Sequence, residues 1–322
     1  MRQRRAVIFL SAGLLTAIGF RRSWAQARTG RVGTLAFDEK WPGLEAFERR
    51  LGERGWVPGK NLVTVYRSAG GNPARFSDAV RELITLKVDV IYCVSAPAVH
   101  AARAATRSIP IVGMDYSTDP VAAGYADSYG HPGQNLTGVF LDAPDFTGKW
   151  LEILRAMVPG LSRIALLWDP APGPVHLRAV QGAARAFGIQ VQVLEVHTPA
   201  DIEPAFSAFR PRPEAVVVLP SPLLFYQLPK LAELSLKYRL AGTAMFRLFS
   251  DSGGMVTYGP DLTTSVEACA VLVAKILSGM SPGDLPLERP AKFELVVNSK
   301  TVKALGLTVP ESVLVRADEV IR

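Results

Sequence analysis

Two serines stand where an apolar run stops. In VDVIYCVSAP (Val88 to Pro97) an acidic residue, an apolar run, Ser95 and a proline follow one another, and EAVVVLPSP (Glu214 to Pro222) repeats that order with Ser221. A hydroxyl at the carboxyl end of a buried strand can cap the helix that follows. It can also hydrogen-bond a ligand that shares the same unpaired N–H groups. Other expected strand ends carry Phe37-Asp38, Trp41, Tyr116-Ser117-Thr118-Asp119, Trp168-Asp169, Phe246 and Tyr258. Aromatic faces mixed with hydroxyls and carboxylates suit a small amphipathic organic ligand held by stacking and a few hydrogen bonds. From this set Ser95, Ala96, Asp119 and Ser221 are the expected polar contacts, and Trp41, Phe246 and Tyr258 the expected walls. Each has a plainer reading: the serines as helix caps, Asp119-Pro120 and Asp169-Pro170 as turn starters, Trp41 and Trp168 as core or surface aromatics. The pairing of the serines favours a shared ligand over capping alone.

Catalytic signatures are missing. Neither serine sits in a G-x-S-x-G elbow, and the chain has no H-E-x-x-H, C-x-x-C or Walker loop. GTLAF lacks the G-x-G-x-x-G that brings a backbone against dinucleotide phosphates. His100, His131, His176 and His197 are not at metal-ligand spacing and read as solvated. No catalytic residue, metal site or cofactor is expected.

The elements that must position these residues alternate. RVGTLAF, NLVTVYR and VDVIYCV read as short apolar strands separated by WPGLEAFERRLGERG and PARFSDAVRELITLK, which have helical spacing. That alternation implies right-handed crossovers and a parallel sheet covered on both faces. A second unit opens with RIALLWDP at Arg163. Arg31-Val32-Gly33 matches Arg163-Ile164-Ala165, Gly55 matches Gly188, and Asp89 matches Glu214 in the same order. The chain is therefore expected to form two similar α/β lobes with a cleft between the carboxyl ends of their strands. The last 60 or so residues hold one long helix, too little for a third core, and are expected to complete the two lobes. The expected boundaries are 28–138 plus about 256–292 for one lobe and 139–255 plus about 293–322 for the other, with three crossings, near 138–145, 253–260 and 290–296, forming a hinge.

The first 27 residues read as a secretory signal peptide: a basic MRQRR, an uncharged apolar core from Ala6 to Phe20, and a small-x-small cleavage site at Ala25-Gln26-Ala27. Arg4-Arg5 leaves a twin-arginine route open. This segment explains most of the formal charge of +7, because it holds five of the 36 basic residues and no acid; the remainder carries 31 basic against 29 acidic residues. A basic chain would suggest nucleic acid, but that balance removes the argument. Cys93 and Cys269 read as buried thiols more readily than as a disulfide.

The segments RVGTLAF, LGERGWVPGKNLVTVYR, LKVDVIYCVSAPAVHAARAATRSIPIV, DPVAAGY, GQNLTGV, GKWLEILRAMVPGLSRIALLWDP, GGMVTYGPDL and FELVVNSKTVKALGLTVPESVLVRADEVI together resemble the ABC-transporter substrate-binding protein family that includes tryptophan-binding members. The resemblance spans nearly all of the chain after the signal segment. It implies a type I periplasmic binding protein, monomeric, with two Rossmann-like lobes joined by three hinge crossings. The implied work is capture of a small-molecule ligand by lobe closure and delivery to an inner-membrane ABC permease. Ser95-Ala96-Pro97 stands where the family usually has Ser-Gly-Thr-Pro, and Leu219-Pro220-Ser221-Pro222 replaces a Gly/Asn-rich loop. Those departures bear on the ligand more than on the role. Rival readings are a ligand-sensing partner of a membrane kinase and a secreted α/β enzyme; a LacI-like repressor would need an N-terminal helix-turn-helix.

Overall fold

The computed structural model describes residues 29–141 and 145–322. The expected signal peptide lies outside the described residues. In chain order the first unit runs β1 (Gly30–Ala36), α1 (Leu44–Glu53), β2 (Leu62–Ser68), α2 (Phe76–Thr85), β3 (Val90–Val94), α3 (Ala96–Ala105), β4 (Ile111–Asp115) and β5 (Leu136–Phe140). These strands form a parallel sheet in the order β2-β1-β3-β4-β5. The second unit runs α4 (Asp145–Met157), β6 (Arg163–Trp168), α5 (Val175–Ala186), β7 (Gln190–Glu195), α6 (Ile202–Ser207), β8 (Ala215–Val218), α7 (Pro222–Tyr226), α8 (Leu228–Lys237), β9 (Ala241–Ala244), α9 (Leu248–Asp251) and β10 (Val256–Pro260). After α10 (Leu262–Leu277) come β11 (Phe293–Asn298), α11 (Ser299–Ala304), α12 (Glu311–Leu314) and β12 (Glu319–Ile321). The second sheet has the order β12-β11-β10-β9-β8-β6-β7, parallel except where β11 runs against β10. The fold is α/β, two Rossmann-like lobes of the type I periplasmic binding protein kind.

Strand composition follows from helices covering both faces. VIYCV and AVVV have no polar alternation because neither face meets water. The helices bury one stripe each; in α2 it is Phe76, Ala79, Val80 and Leu83, at helical spacing. Helix α10 is the exception, buried on most of its circumference, because it lies between the first sheet and α1.

The repeat in the sequence is a repeat of bonding. The backbone N–H of Arg31 donates to the Asp89 carboxylate (2.8 Å) while the Asp89 N–H donates to the Arg31 carbonyl (2.8 Å). In the second unit the Arg163 N–H donates to the Glu214 carboxylate (2.6 Å), and the Glu214 N–H to the Arg163 carbonyl (3.0 Å). An acidic side chain thus satisfies the N–H at the entry of the first strand of each sheet, where the ladder leaves a donor over.

The chain passes between the sheets three times: after β5, at Asp261 between β10 and α10, and between Glu288 and β11. Strand β10 belongs wholly to the second sheet, held by β9 on one side and by five antiparallel pairs with β11 on the other. The second crossing is therefore at Asp261, at the end of the expected stretch near 253–260, and Asp261 caps α10 by accepting from the Thr264 N–H (3.0 Å). Strand β5 likewise belongs wholly to the first sheet, past the expected boundary at 138. On the way back Glu288 pairs with β5, donating to the Gly138 carbonyl (2.8 Å) and accepting from the Phe140 N–H (2.9 Å). Cys93 and Cys269 are buried free thiols. Among the described residues no helix is long and apolar enough to cross a membrane.

Between β4 and β5 the backbones meet as Gly113 opposite Gly138. Gly138 has φ +148°, and a Cβ there would lie 2.0 Å from the Gly113 carbonyl oxygen. Gly138→Ala is expected to cost about 3 kcal/mol, or roughly 6–12 °C in Tm for a chain of this size. Thermal unfolding followed by circular dichroism checks this, and an unchanged Tm would refute the close approach.

Candidate ligand-binding cleft

The carboxyl ends of both sheets open onto one cavity. From the first sheet, Phe37 and Trp41 follow β1, Ser95 and Ala96 follow β3, and Tyr116 and Ser117 follow β4. From the second, Pro172 follows β6, Pro220 and Ser221 follow β8, and Phe246 follows β9. Phe225 and Tyr226, one turn into α7, complete that wall. The lobes are closed on each other: Phe37 stacks on Tyr226 across the gap (centroids 6.0 Å, 25°) and Tyr116 meets Phe246 (6.1 Å). Trp41 is fixed from behind by Tyr92 (5.5 Å, edge-on), which stacks on Phe47 (4.3 Å). The cavity leaves about 80 Å³ in which the centre of a water can sit. At roughly 10–15 Å³ per water on that measure and about 30 Å³ of liquid each, it matches on the order of five to eight waters, the bulk of one amino-acid-sized molecule.

The two serines behave differently. Ser221 is extended (φ −154°, ψ 159°) and its Oγ accepts from the Leu224 N–H (3.0 Å), an ordinary helix cap. Ser95 sits at φ +115°, ψ 159°, a region that only glycine enters without strain, and its side chain caps nothing. Its N–H donates to the Met114 carbonyl (2.9 Å) and its carbonyl accepts from Val99 (3.0 Å), so backbone bonds on both sides hold it there. The Ser95 hydroxyl is buried without a hydrogen-bond partner. A strained residue carrying an unsatisfied hydroxyl at a cavity wall is where a fold gives up stability to present a group.

Of the sequence-derived site residues, the structure brings Trp41, Ser95, Ala96, Ser221 and Phe246 together around this cavity. Asp119 and Tyr258 are not among its lining. Asp119 turns the chain after β4, its Oδ1 accepting from the Val121 and Ala122 N–H groups (2.9 and 3.1 Å). Tyr258 is in the middle of β10, packs on Phe293 (5.9 Å), and its carbonyl accepts from the Trp150 indole N–H (2.7 Å), which places it at the crossings. Phe225 and Tyr226 are not at a strand end, where the sequence pattern places candidate contacts; they reach the cavity from α7, one helical turn past Ser221.

Behind the walls are two buried carboxylates. Asp115 ends β4, and its Oδ1 accepts from the Ser117 and Thr118 N–H groups (2.8 and 3.1 Å) while Oδ2 has no hydrogen bond. Burial pushes it up to about 6, against those hydrogen bonds. Asp169 ends β6 and is 5% exposed; Oδ1 accepts from the Ala171 N–H (3.0 Å) and Oδ2 has no hydrogen bond. Burial raises its pKa too, with the Ala171 N–H and the neighbouring Ser221 hydroxyl pulling the other way. No cluster of metal-ligating side chains occurs among the described residues.

His176, read from the sequence as solvated, is buried. It is the second residue of α5 and heads the buried stripe His176, Val180, Ala184. Its Nε2 donates across the lobes to the Tyr116 carbonyl (2.6 Å), and its ring lies edge-on to Phe146 (5.9 Å). His100, His131 and His197 are exposed.

Residues 36–321 match the family described as ABC transporter substrate binding protein. The chain belongs to that family. Members bind small molecules and work with ABC permeases, and the relatives of this chain are binding proteins rather than enzymes. It is 24% identical over 267 residues to a tyrosine-binding protein of Clostridioides difficile (strain R20291), covering 82% of this chain and 76% of that protein. Its fold is similar to a conserved domain protein from Vibrio cholerae (TM-score 0.82, 25% identity) and to an ABC domain in complex with L-Trp from Streptococcus pneumoniae (TM-score 0.81, 20% identity). Both comparisons cover 91% of this chain and 100% of the other.

In this substrate-binding protein the cross-lobe histidine sets a pH dependence. Burial pushes the His176 pKa down to about 4, from roughly 6.5 in an unfolded chain. The folded state therefore prefers the neutral ring, so the stability it lends is full above about pH 6.5 and is lost as pH falls toward 4. Asp115 runs oppositely over part of that window, because a raised carboxyl takes up its proton in the folded state first. The difference in unfolding free energy between the native protein and His176→Gln is expected to shrink from pH 7 to pH 4.5. Urea titrations across that range measure it; a constant difference would show that His176 is not linked to folding.

Proposed function

We propose that this protein is the solute-binding component of an ABC importer, exported from the cytoplasm by its N-terminal segment and working as a monomer in the periplasm. It captures a small organic molecule with an aromatic or flat apolar part between its lobes and presents the closed complex to an inner-membrane permease. The observation that carries this reading is Ser95: a non-glycine residue held at φ +115° with an unpartnered hydroxyl, at the mouth of α3, in an aromatic-walled cavity built from both lobes. A core residue has no reason to keep that strain. A ligand contact does, because the backbone geometry aims the hydroxyl and the adjacent helix start at one point. The relative that binds tyrosine and the L-Trp-bound neighbour support a ligand of that size.

The relatives of this chain that bind tyrosine and L-Trp support binding without turnover. Closure would follow from the ligand filling the gap between Phe37 and Tyr116 on one side and Tyr226 and Phe246 on the other, since only the closed state contacts it on both faces.

A thermal-shift screen of amino acids, aromatic acids and aromatic amines tests the reading. A true ligand at about 100 times its Kd adds about 2.7 kcal/mol, or roughly 5–10 °C. Ser95 separates ligand contact from structure in one series. Ser95→Gly is expected to raise the ligand-free Tm by about 2–4 °C through relief of roughly 1 kcal/mol of strain. Both Ser95→Gly and Ser95→Ala are expected to weaken binding about tenfold in calorimetry, the value of one hydrogen bond. Unaltered affinity in both variants would remove Ser95 from the site.

A further inference from the structure

We infer that Gly43 sets how large a ring the cavity accepts, by letting the Trp41 indole lie against its Cα. This rests on the reading of the cavity as an aromatic-solute site, whose wall includes Trp41. Gly43 is not among the lining, so it is a positioning residue that acts through that ring. The backbone gives no reason for a glycine here. Gly43 has φ −79° and ψ −6°, right-handed helical values open to other residues, and it precedes α1 without a side-chain cap. At such a position alanine ordinarily adds stability by narrowing the unfolded chain. Space is the reason instead. A Cβ built on Gly43 would lie 2.3 Å from Cζ2, 2.6 Å from Cη2 and 2.7 Å from Cε2 of Trp41, all on the benzo ring of the indole. Carbon atoms in contact rest roughly 3.5–4.0 Å apart, so a single methyl group would displace the ring by about 1 Å or more.

The ring is blocked from behind. Tyr92 stands edge-on to it (5.5 Å), stacks on Phe47 (4.3 Å, 8°) and donates to the Met114 sulfur (3.7 Å), and both Tyr92 and Phe47 are fully buried. Movement that way would break a packed core. The backbone is tied as well, because the Leu44 N–H donates to the Trp41 carbonyl (3.2 Å) and the Phe47 N–H to the Gly43 carbonyl (3.0 Å), which fastens this segment to the start of α1. The open side is the cavity. A Trp41 ring pushed forward takes volume from the ligand, and the loss falls hardest on the largest ligand ring. A bare Cα at residue 43 keeps the wall back.

Phenylalanine, tyrosine and tryptophan share one amino-acid head and differ in the ring, so their calorimetric affinities for the native protein, Gly43→Ala, Trp41→Phe and the double variant test the assignment. In Gly43→Ala, tryptophan is expected to lose at least about tenfold and phenylalanine less than about threefold. Trp41→Phe removes the atoms that the new methyl group would strike, so adding Gly43→Ala to it is expected to change either affinity by less than about twofold. Melting temperatures separate this contact from a plain helix effect: Gly43→Ala alone is expected to lower Tm by about 2–4 °C, and in the Trp41→Phe background to leave it unchanged or raise it. Equal losses for tryptophan and phenylalanine, or a loss that Gly43→Ala still causes in the Trp41→Phe background, overturn the inference and leave aromatic-solute capture standing. Unaltered Tm and affinities in Gly43→Ala overturn the contact itself. Binding of none of the three to the native protein removes the aromatic-solute reading, and this inference with it.

Discussion

A parallel sheet delivers the carboxyl end of every strand to one edge, and most of what this protein does depends on two such edges being turned toward each other. Loops and helix starts can gather there because no chain reversal is needed along the strands themselves. The three passages between the sheets set the orientation. With β10 and β11 paired in the second sheet and α10 packed on the first, the chain cannot let one edge turn away without bending Asp261 and its neighbours. The aromatic contacts Phe37–Tyr226 and Tyr116–Phe246 are the outcome: rings contributed by different sheets, meeting only because the edges face.

The two-lobe plan was legible in the sequence because it rests on local pattern repeated at a distance. Apolar runs of strand length, helices ended by Gly55 and Gly188, and an acid before the central strand of each unit all reflect short-range requirements, and the matching bonds of Asp89 and Glu214 are the reason those acids recur. Cavity-lining positions were readable where a strand end and a helix start coincide, as at Ser95 and Ser221. They were not where side-chain direction decides. Tyr258 lies mid-strand opposite Leu295 of β11, so being near a crossing does not bring it to the cavity. For Asp119 the plainer turn reading holds, since two N–H groups occupy its carboxylate. His176 could have been found from its fourfold spacing with Val180 and Ala184, a buried stripe that a search for metal spacing passes over.

Ser95 shows why a motif alone misses energetics. Its sequence setting is that of a helix cap, and Ser221 in the same setting is one. The difference lies in φ, which no residue pattern reports: Ser95 is drawn into a glycine-like conformation by backbone bonds to Met114 and Val99. The same local sequence is relaxed in one lobe and strained in the other, so the lobes are similar in plan and unequal in stored strain.

The late return of the chain to the first sheet has a consequence for how the molecule is made. Thr137 is bonded to the Leu285 carbonyl, 148 residues away, and Arg49 pairs with Glu267 across 218 residues. Until α10 and the 285–288 segment leave the ribosome, the β3–β5 side of one face of the first sheet lacks its covering helix and β5 lacks its outer partner. Synthesis of a lobe that begins the chain is thus finished only near the chain's end. Its nascent form stays incomplete through most of translation, because the contacts that close it are among the longest in sequence that the fold makes.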